Sequence, residues 1–262
     1  MSLPSPDTLL SEVPEYAGAS LRPFGTGSAN ALYLIQPSDP EALLRVHDSG
    51  ARMSADRRLE QTIWRQAADA GLSPALYYWD PAHRFAVTQR WGARADTLTP
   101  DAAARTLLAF HRLPIDVGVV DYASALDTDA LVWQQQMLSS RLAPGMTHHD
   151  PSLGNWLSQG QQLRLIDFEY AGFGHPLWDL ACLMLEWPAM AEAGRCYYFA
   201  QGVEPDSTEA KALHAAGYLY LRTSLNWCEL ALQQGGEQTL LLNWAQRYRH
   251  LLNTGLESLL TL

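Results

Sequence analysis

An α+β fold in two lobes is predicted, with a small N-terminal antiparallel sheet plus one helix over residues 1–92 and a larger, mostly helical C-terminal lobe over 93–262. Three observations predict it. Short β-prone apolar runs crowd the first third of the chain, long stretches of helical periodicity fill the rest, and Trp91-Gly92-Ala93 offers a hinge between them. With 262 residues, 47% of them hydrophobic, the chain is long enough for one large domain or two small lobes and too apolar for disorder.

Residues 1–20, rich in Pro, Ser and Glu, allow a short helix at most. Leu21 to Phe24 reads as a strand, Gly25-Thr26-Gly27-Ser28-Ala29-Asn30 as a turn, and Ala31 to Ile35 as the returning strand. Glycine has no Cβ, so such a turn can bring backbone N–H groups against a phosphate. Alone it is equally an ordinary hairpin turn, because the third glycine and the following helix of a dinucleotide fingerprint are missing. Ala42 to His47 is a third strand with Arg45 among apolar neighbours. The single lysine, Lys211, lies far away in a helical region, so phosphates near this sheet must be met by arginine. Arg45 either does so or points to water from a strand edge.

A helix is predicted from about Ala55 to Ala70, with Ser54 as N-cap, Leu59, Ile63, Trp64 and Ala67 on its apolar face, and Gly71 ending it. Glu60, at the margin of that face, either pairs with Arg45 or is solvated. Strands over Ala75 to Trp79 and Arg84 to Gln89 follow, joined at Asp80-Pro81. From Thr99, which caps a helix opened by Pro100, the pattern becomes helical. A second helix spans about Asp129 to Leu142, and His111 reads as structural. After a central hairpin, Gly172 to Pro176 reads as loop. Pro176 opens a helix to Trp187, Pro188 breaks it, and long helices run around Tyr197, over Leu213 to Leu232 and over Leu240 to Leu260.

A net charge of -10 argues against nucleic-acid and membrane partners, which need clustered basic residues. The excess is uneven: the balance is -2 over residues 1–92 and -8 over 93–262. An acidic second half either favours a cationic small molecule or keeps the protein soluble. Cys182, Cys196 and Cys228, odd in number and without a C-x-x-C pair, read as buried thiols. The first residues lack a signal peptide's basic and apolar regions, and no apolar run spans a bilayer, so a cytoplasmic protein is expected.

The densest chemistry lies in Thr147 to Asn155 and in Leu165 to Tyr170. Trp156-Leu157 and Leu163 to Ile166 form a predicted hairpin, turned at Ser158-Gln159-Gly160-Gln161. Asp150 and Asn155 precede its first strand and Asp167 follows its second, so all three can converge at one end. Magnesium prefers hard oxygen ligands, which an amide and a carboxylate supply. Phosphoryl transfer also needs a carboxylate to orient and deprotonate the attacking hydroxyl. Asn155 and Asp167 suit the first task and Asp150 the second.

His148-x-Asp150-x-x-x-x-Asn155, Ile166-Asp167-Phe168-Glu169-Tyr170-Ala171 and Pro176-Leu177-Trp178-Asp179-Leu180-Ala181 resemble the choline/ethanolamine kinase and aminoglycoside phosphotransferase superfamily, of protein-kinase-like fold. The resemblance is strongest over residues 147–187. It implies that Asp150 is the catalytic base, that Asn155 and Asp167 bind Mg2+, and that Asp179 braces the catalytic loop. It further implies ATP held by Gly27, Ser28 and Asn30, with Arg45 as the phosphate contact and Glu60 as its helix partner.

Glu169-Tyr170 and Leu185-Glu186-Trp187 look closest to choline kinase-like proteins, and Glu169-Tyr170-Ala171 resembles bacterial thiamine kinases. Choline kinases cage a quaternary ammonium with aromatic rings, and Trp227 is similar to one of these. Ser224 stands where choline kinases commonly carry a second tryptophan, and Pro151-Ser152-Leu153 departs from the usual His-Pro-Gly stretch. Glu186, Trp187 and Trp227 are the expected substrate residues. The expected activity is ATP-dependent phosphorylation of a small, cationic alcohol such as choline, ethanolamine or a thiamine-like compound, by a monomer or homodimer. A non-catalytic nucleotide-binding scaffold and an aminoglycoside-type antibiotic phosphotransferase are the alternatives.

Overall fold

The computed structural model describes residues 4–26, 30–47, 56–114, 120–122, 126, 129–235 and 237–260. In chain order the elements are α1 (Pro6–Ser11), β1 (Ser20–Thr26), β2 (Asn30–Gln36), β3 (Ala42–His47), α2 (Arg57–Asp69), β4 (Leu76–Trp79), β5 (Phe85–Gln89) and β6 (Ala93–Arg94). They continue with α3 (Pro100–His111), α4 (Ala130–Met137), β7 (Gly145–Thr147), β8 (Trp156–Gln159), β9 (Gln162–Leu165) and β10 (Gly172–Gly174). Four helices finish the chain: α5 (Pro176–Glu186), α6 (Ala193–Ala200), α7 (Ser207–Gln233) and α8 (Gln238–Thr254). The chain divides into two compact units, residues 1–94 with 157–169, and residues 95–156 with 170–262.

The first unit holds an antiparallel sheet of order β1-β2-β3-β5-β4. Alternation along β3 decides what each face meets. Leu44 and Val46 join Leu9, Leu10 and Val13 of the N-terminal segment, with Ile35, Phe85 and Val87, in one apolar cluster. Burying a leucine such as Leu44 contributes about 2 kcal/mol. Arg45 and His47 alternate with these residues, and Arg45 meets Glu60 of α2. Asp56 caps α2 by accepting from the N–H groups of Arg58 and Leu59, in place of the expected Ser54, which lies outside the described residues. The buried face of α2 is also shifted: Glu60, Ile63, Trp64 and Ala67 are buried, and Leu59 is only half-buried. A charged side chain joins the core because two arginines neutralise it.

The β8–β9 hairpin has the expected position, with β8 two residues longer, β9 starting and ending one residue earlier, and Gly160 at φ 60° in the turn. It belongs to a three-stranded sheet of order β6-β8-β9. Gly92, at φ 54°, lies so close to the Ser158 carbonyl that a Cβ there would collide with it.

The second unit is helical, with α7 packed against α4, α5 and α8, and α3 against α6. Thr99 caps α3 as expected, accepting from Ala102 N–H at 3.2 Å. Three expectations need correction. Gly172–Gly174, which reads as loop in the sequence, is a strand paired antiparallel with Gly145–Thr147. A three-residue Gly-Phe-Gly strand has no alternating pattern to betray it. α4 stops at Met137 instead of reaching Leu142, because Ser139 and Ser140 turn back onto the carbonyls of Gln136 and Met137. The last helix ends at Thr254 and passes at Gly255 into a tighter 3-10 turn over Leu256–Leu260. Cys182 and Cys228 are buried, but Cys196 is only half-buried. Among the described residues no helix is long and apolar enough to cross a membrane.

Candidate active site

In the second unit the site is built on a buried carboxylate. Asp179, in the first turn of α5, is fully buried and accepts from the backbone N–H groups of His148 and His149, both at 2.8 Å. His111 Nε2 donates to the same carboxylate at 2.9 Å, and Tyr197 then donates its hydroxyl to His111 Nδ1 at 2.7 Å. Burial works against the charged form of Asp179. The hydrogen bond from His111 outweighs it, so the carboxyl lies below its ordinary value. His111 is thus structural, and Asp179 braces the loop that carries Asp150.

The rest of that loop is fixed residue by residue. Asn155 Nδ2 donates to both the backbone carbonyl and the Oδ2 of Asp150, each at 2.9 Å. Asn155 Oδ1 has no hydrogen-bond partner among the described residues. A 3-10 turn over Leu153–Asn155 makes this approach possible, so Pro151-Ser152-Leu153 still delivers the amide to the acid. Trp156 Nε1 donates to the Pro151 carbonyl at 2.9 Å and pins the turn.

Sequence reasoning missed Tyr122 and His149. The Tyr122 hydroxyl donates to His149 Nε2 at 2.9 Å and accepts from His175 N–H at 2.7 Å. His149 Nδ1 donates to the Tyr170 carbonyl at 2.9 Å, and its backbone sits at φ 66°. Burial pushes His149 down to about 4, so its ring is neutral at neutral pH. A Cβ on Gly174 would strike both the Tyr122 hydroxyl and the His149 ring, so only glycine fits beneath this pair. The adjacent His148-His149 was the only signal available.

In the first unit the charged residues form a chain of ion pairs. Arg45 donates to Glu60 Oε1 at 2.8 Å and to Asp167 Oδ1 at 2.6 Å. Arg57, one turn before Glu60 on α2, donates to Glu60 Oε2 at 2.5 Å and reaches Glu169 at 3.5 Å. Arg45 therefore faces Glu60, not water, and its guanidinium lies 5.3 Å over the Trp64 ring. Burial opposes the charge on Glu60, yet Arg45 and then Arg57 hold its carboxyl below the usual range. Glu169 goes the other way: burial first, and then the Asp167 charge, raise it to about 7. Asp167 sits at φ 68°, with its side chain 33% exposed and Oδ2 unpartnered among the described residues. The same alternation that buries Leu44 aims Arg45 at α2. Arg57 and Glu169 were not anticipated.

Of the nucleotide-loop residues, Asn30 opens β2 opposite His47, and Gly27 and Ser28 lie outside the described residues. Of the substrate residues, Glu186 is already engaged. It accepts from the Tyr220 hydroxyl at 2.9 Å and pairs with Arg247 at 3.0 Å. Trp227 is half-buried, 6.0 Å from Trp244, and Trp187 terminates α5. The Asp150 charge acts on the phenols of Tyr220 and Tyr248, and Tyr220 meets Trp178 edge-on at 5.9 Å and Tyr248 at 6.3 Å.

Known proteins resemble this chain in fold and, over part of its length, in sequence. Residues 119–213 match the profile of the phosphotransferase enzyme family (APH). No curated protein sequence matches the chain. A choline/ethanolamine kinase family protein from Mesorhizobium loti superposes with a TM-score of 0.75 at 20% identity, covering 97% of this chain and 96% of that one. The choline kinase LicA from Streptococcus pneumoniae gives 0.68 at 18% identity over 95% and 98%. The GDP complex of wild-type aminoglycoside 2'-phosphotransferase-IIIa gives 0.65 at 17% over 97% of each chain. The chain thus shares the fold of these choline/ethanolamine kinase and aminoglycoside phosphotransferase structures, and its residues 119–213 match the phosphotransferase enzyme family.

Proposed function

We propose that the chain is a kinase that moves the γ-phosphoryl group of ATP to the hydroxyl of a small cationic alcohol, namely choline, ethanolamine or a thiamine-like compound. The observation that carries the reading is the Asp150 loop, in which an acid is oriented by Asn155 on a segment braced by buried Asp179. Asp150 accepts the proton of the acceptor hydroxyl as its oxygen attacks phosphorus, and ADP leaves.

Asn155 commits its N–H donors to Asp150 and keeps an amide oxygen without a partner among the described residues, while Asp167 keeps Oδ2 outside its pair with Arg45. Hard oxygens of this kind are what magnesium takes. Asn155 and Asp167 would each offer such an oxygen to Mg2+, which would supply charge neutralisation for the nucleotide phosphates. Arg45, oriented by Glu60, meets the phosphates, and Gly27, Ser28 and Asn30 contact the nucleotide. Structural relatives solved with AMP and with GDP support a nucleotide ligand. The walls of Trp178, Tyr220 and Tyr248 support a cation, which aromatic faces attract. The reading assigns the protein to the cytoplasm, where ATP is supplied.

ADP release with choline, ethanolamine, thiamine, homoserine and an aminoglycoside, each with magnesium and ATP, tests the proposal. Turnover with a cationic alcohol is expected. ATP binding without turnover of any of these acceptors would replace the enzyme by a nucleotide-binding scaffold. Selective turnover of the aminoglycoside would move the acceptor to that class.

A further inference from the structure

We infer that Arg247 sets the charge preference of the acceptor site by neutralising Glu186; the inference rests on the kinase reading above. Asp150 and Glu186 both act electrostatically on the Tyr220 and Tyr248 phenols and on the Cys182 thiol, so the two carboxylates share one neighbourhood of the second unit. Beside that neighbourhood Glu186 is the group expected to hold a substrate cation, and its side chain is only 10% exposed. Both of its oxygens are occupied. Tyr220 donates to Oε1, and Arg247 of α8 pairs with Oε2 at 3.0 Å while also donating to the Glu186 backbone carbonyl at 2.6 Å. No other cationic side chain bonds this carboxylate among the described residues.

The consequence is electrostatic. A cationic acceptor gains Coulomb energy from Glu186 only by displacing Arg247, so with the pair intact it is held by ring faces and Asp150 instead. Arg247 is 46% exposed, and without its charge Glu186 keeps the hydrogen bond from Tyr220, so Arg247→Gln removes the charge while leaving the carboxylate a donor. Its removal does uncover a carboxylate that shares its neighbourhood with Asp150. Arg247 therefore acts through Glu186, as a residue that tunes which alcohols are taken.

The test is a calorimetric titration of the full chain, in the presence of magnesium and a non-hydrolysable ATP analogue so that no acceptor is consumed, with choline and with its uncharged isostere in which carbon replaces the quaternary nitrogen. Arg247→Gln is expected to strengthen choline binding about fivefold and to leave the isostere unchanged. Arg247→Lys, which keeps the charge, is expected to restore the wild-type ratio. Adding Glu186→Gln to Arg247→Gln is expected to abolish the gain. An unchanged choline-to-isostere ratio in Arg247→Gln, or a gain that survives Glu186→Gln, overturns the role of Arg247 and leaves the kinase reading standing. Failure of the wild-type chain to bind ATP overturns that reading and this inference with it.

Discussion

Glu60 in the first unit and Asp179 in the second are both buried carboxylates, at 1% and 0% exposure, and they are stabilised in opposite ways. Glu60 is held by side chains, Arg45 on one oxygen and Arg57 on the other. Asp179 is held by two backbone N–H groups and a histidine that is itself bonded to Tyr197. Guanidinium partners can be exchanged, and Arg45 already divides its donors between Glu60 and Asp167. Backbone donors cannot move without moving the loop. On the kinase reading, the first arrangement leaves Arg45 able to turn toward an incoming phosphate, and the second keeps the loop of Asp150 still.

The difference predicts unequal costs of truncation. Asp179→Ala leaves two buried N–H groups and His111 without their acceptor and is expected to cost about 3–5 kcal/mol in urea unfolding. Glu60→Ala should cost less, about 1–3 kcal/mol, because Arg45 keeps Asp167 and Arg57 keeps Glu169. Equal costs would show that backbone and side-chain support are equivalent here.

A pH series probes both units at once. Burial holds His47 and His175 down at about 4, against an ordinary value near 6.5. The unfolded chain therefore takes up protons below about pH 6.5, whereas the native protein resists until about pH 4. Stability should be flat above about pH 6.5 and fall between there and about pH 4, by about 2 kcal/mol per histidine near pH 5. A urea midpoint that stays constant across that window would contradict the buried, neutral rings. The smallest expected effect is that of Tyr122→Phe. It strips the His175 N–H of its acceptor and His149 of its donor, at about 1–2 kcal/mol, and should lower turnover more than it raises the KM for ATP.

Much of this fold is legible in the sequence because its signals are local. Apolar runs mark the strands, and Thr99-Pro100 and Pro176 mark helix starts. What escaped depends on partners far apart in the chain. His111 and Tyr197 lie 86 residues apart, and the chain between Glu186 and Arg247 spans 61. Hydrophobic periodicity likewise cannot place Glu60 at the centre of the buried face of α2, since only its arginine partners make that burial tolerable. Glu186 shows the same limit: a negative charge balance suggests a cation site, but only the structure reveals that the charge is already paired.

The central claim is that Asp150 deprotonates an acceptor hydroxyl while other residues bind the nucleotide. It is tested most directly by single-turnover transfer of the γ-phosphoryl group, measured with ATP binding in the same preparations of wild type and Asp150→Asn. The account predicts unchanged ATP affinity and a transfer rate lowered about 10²–10⁴-fold. Transfer at the wild-type rate by Asp150→Asn would contradict it.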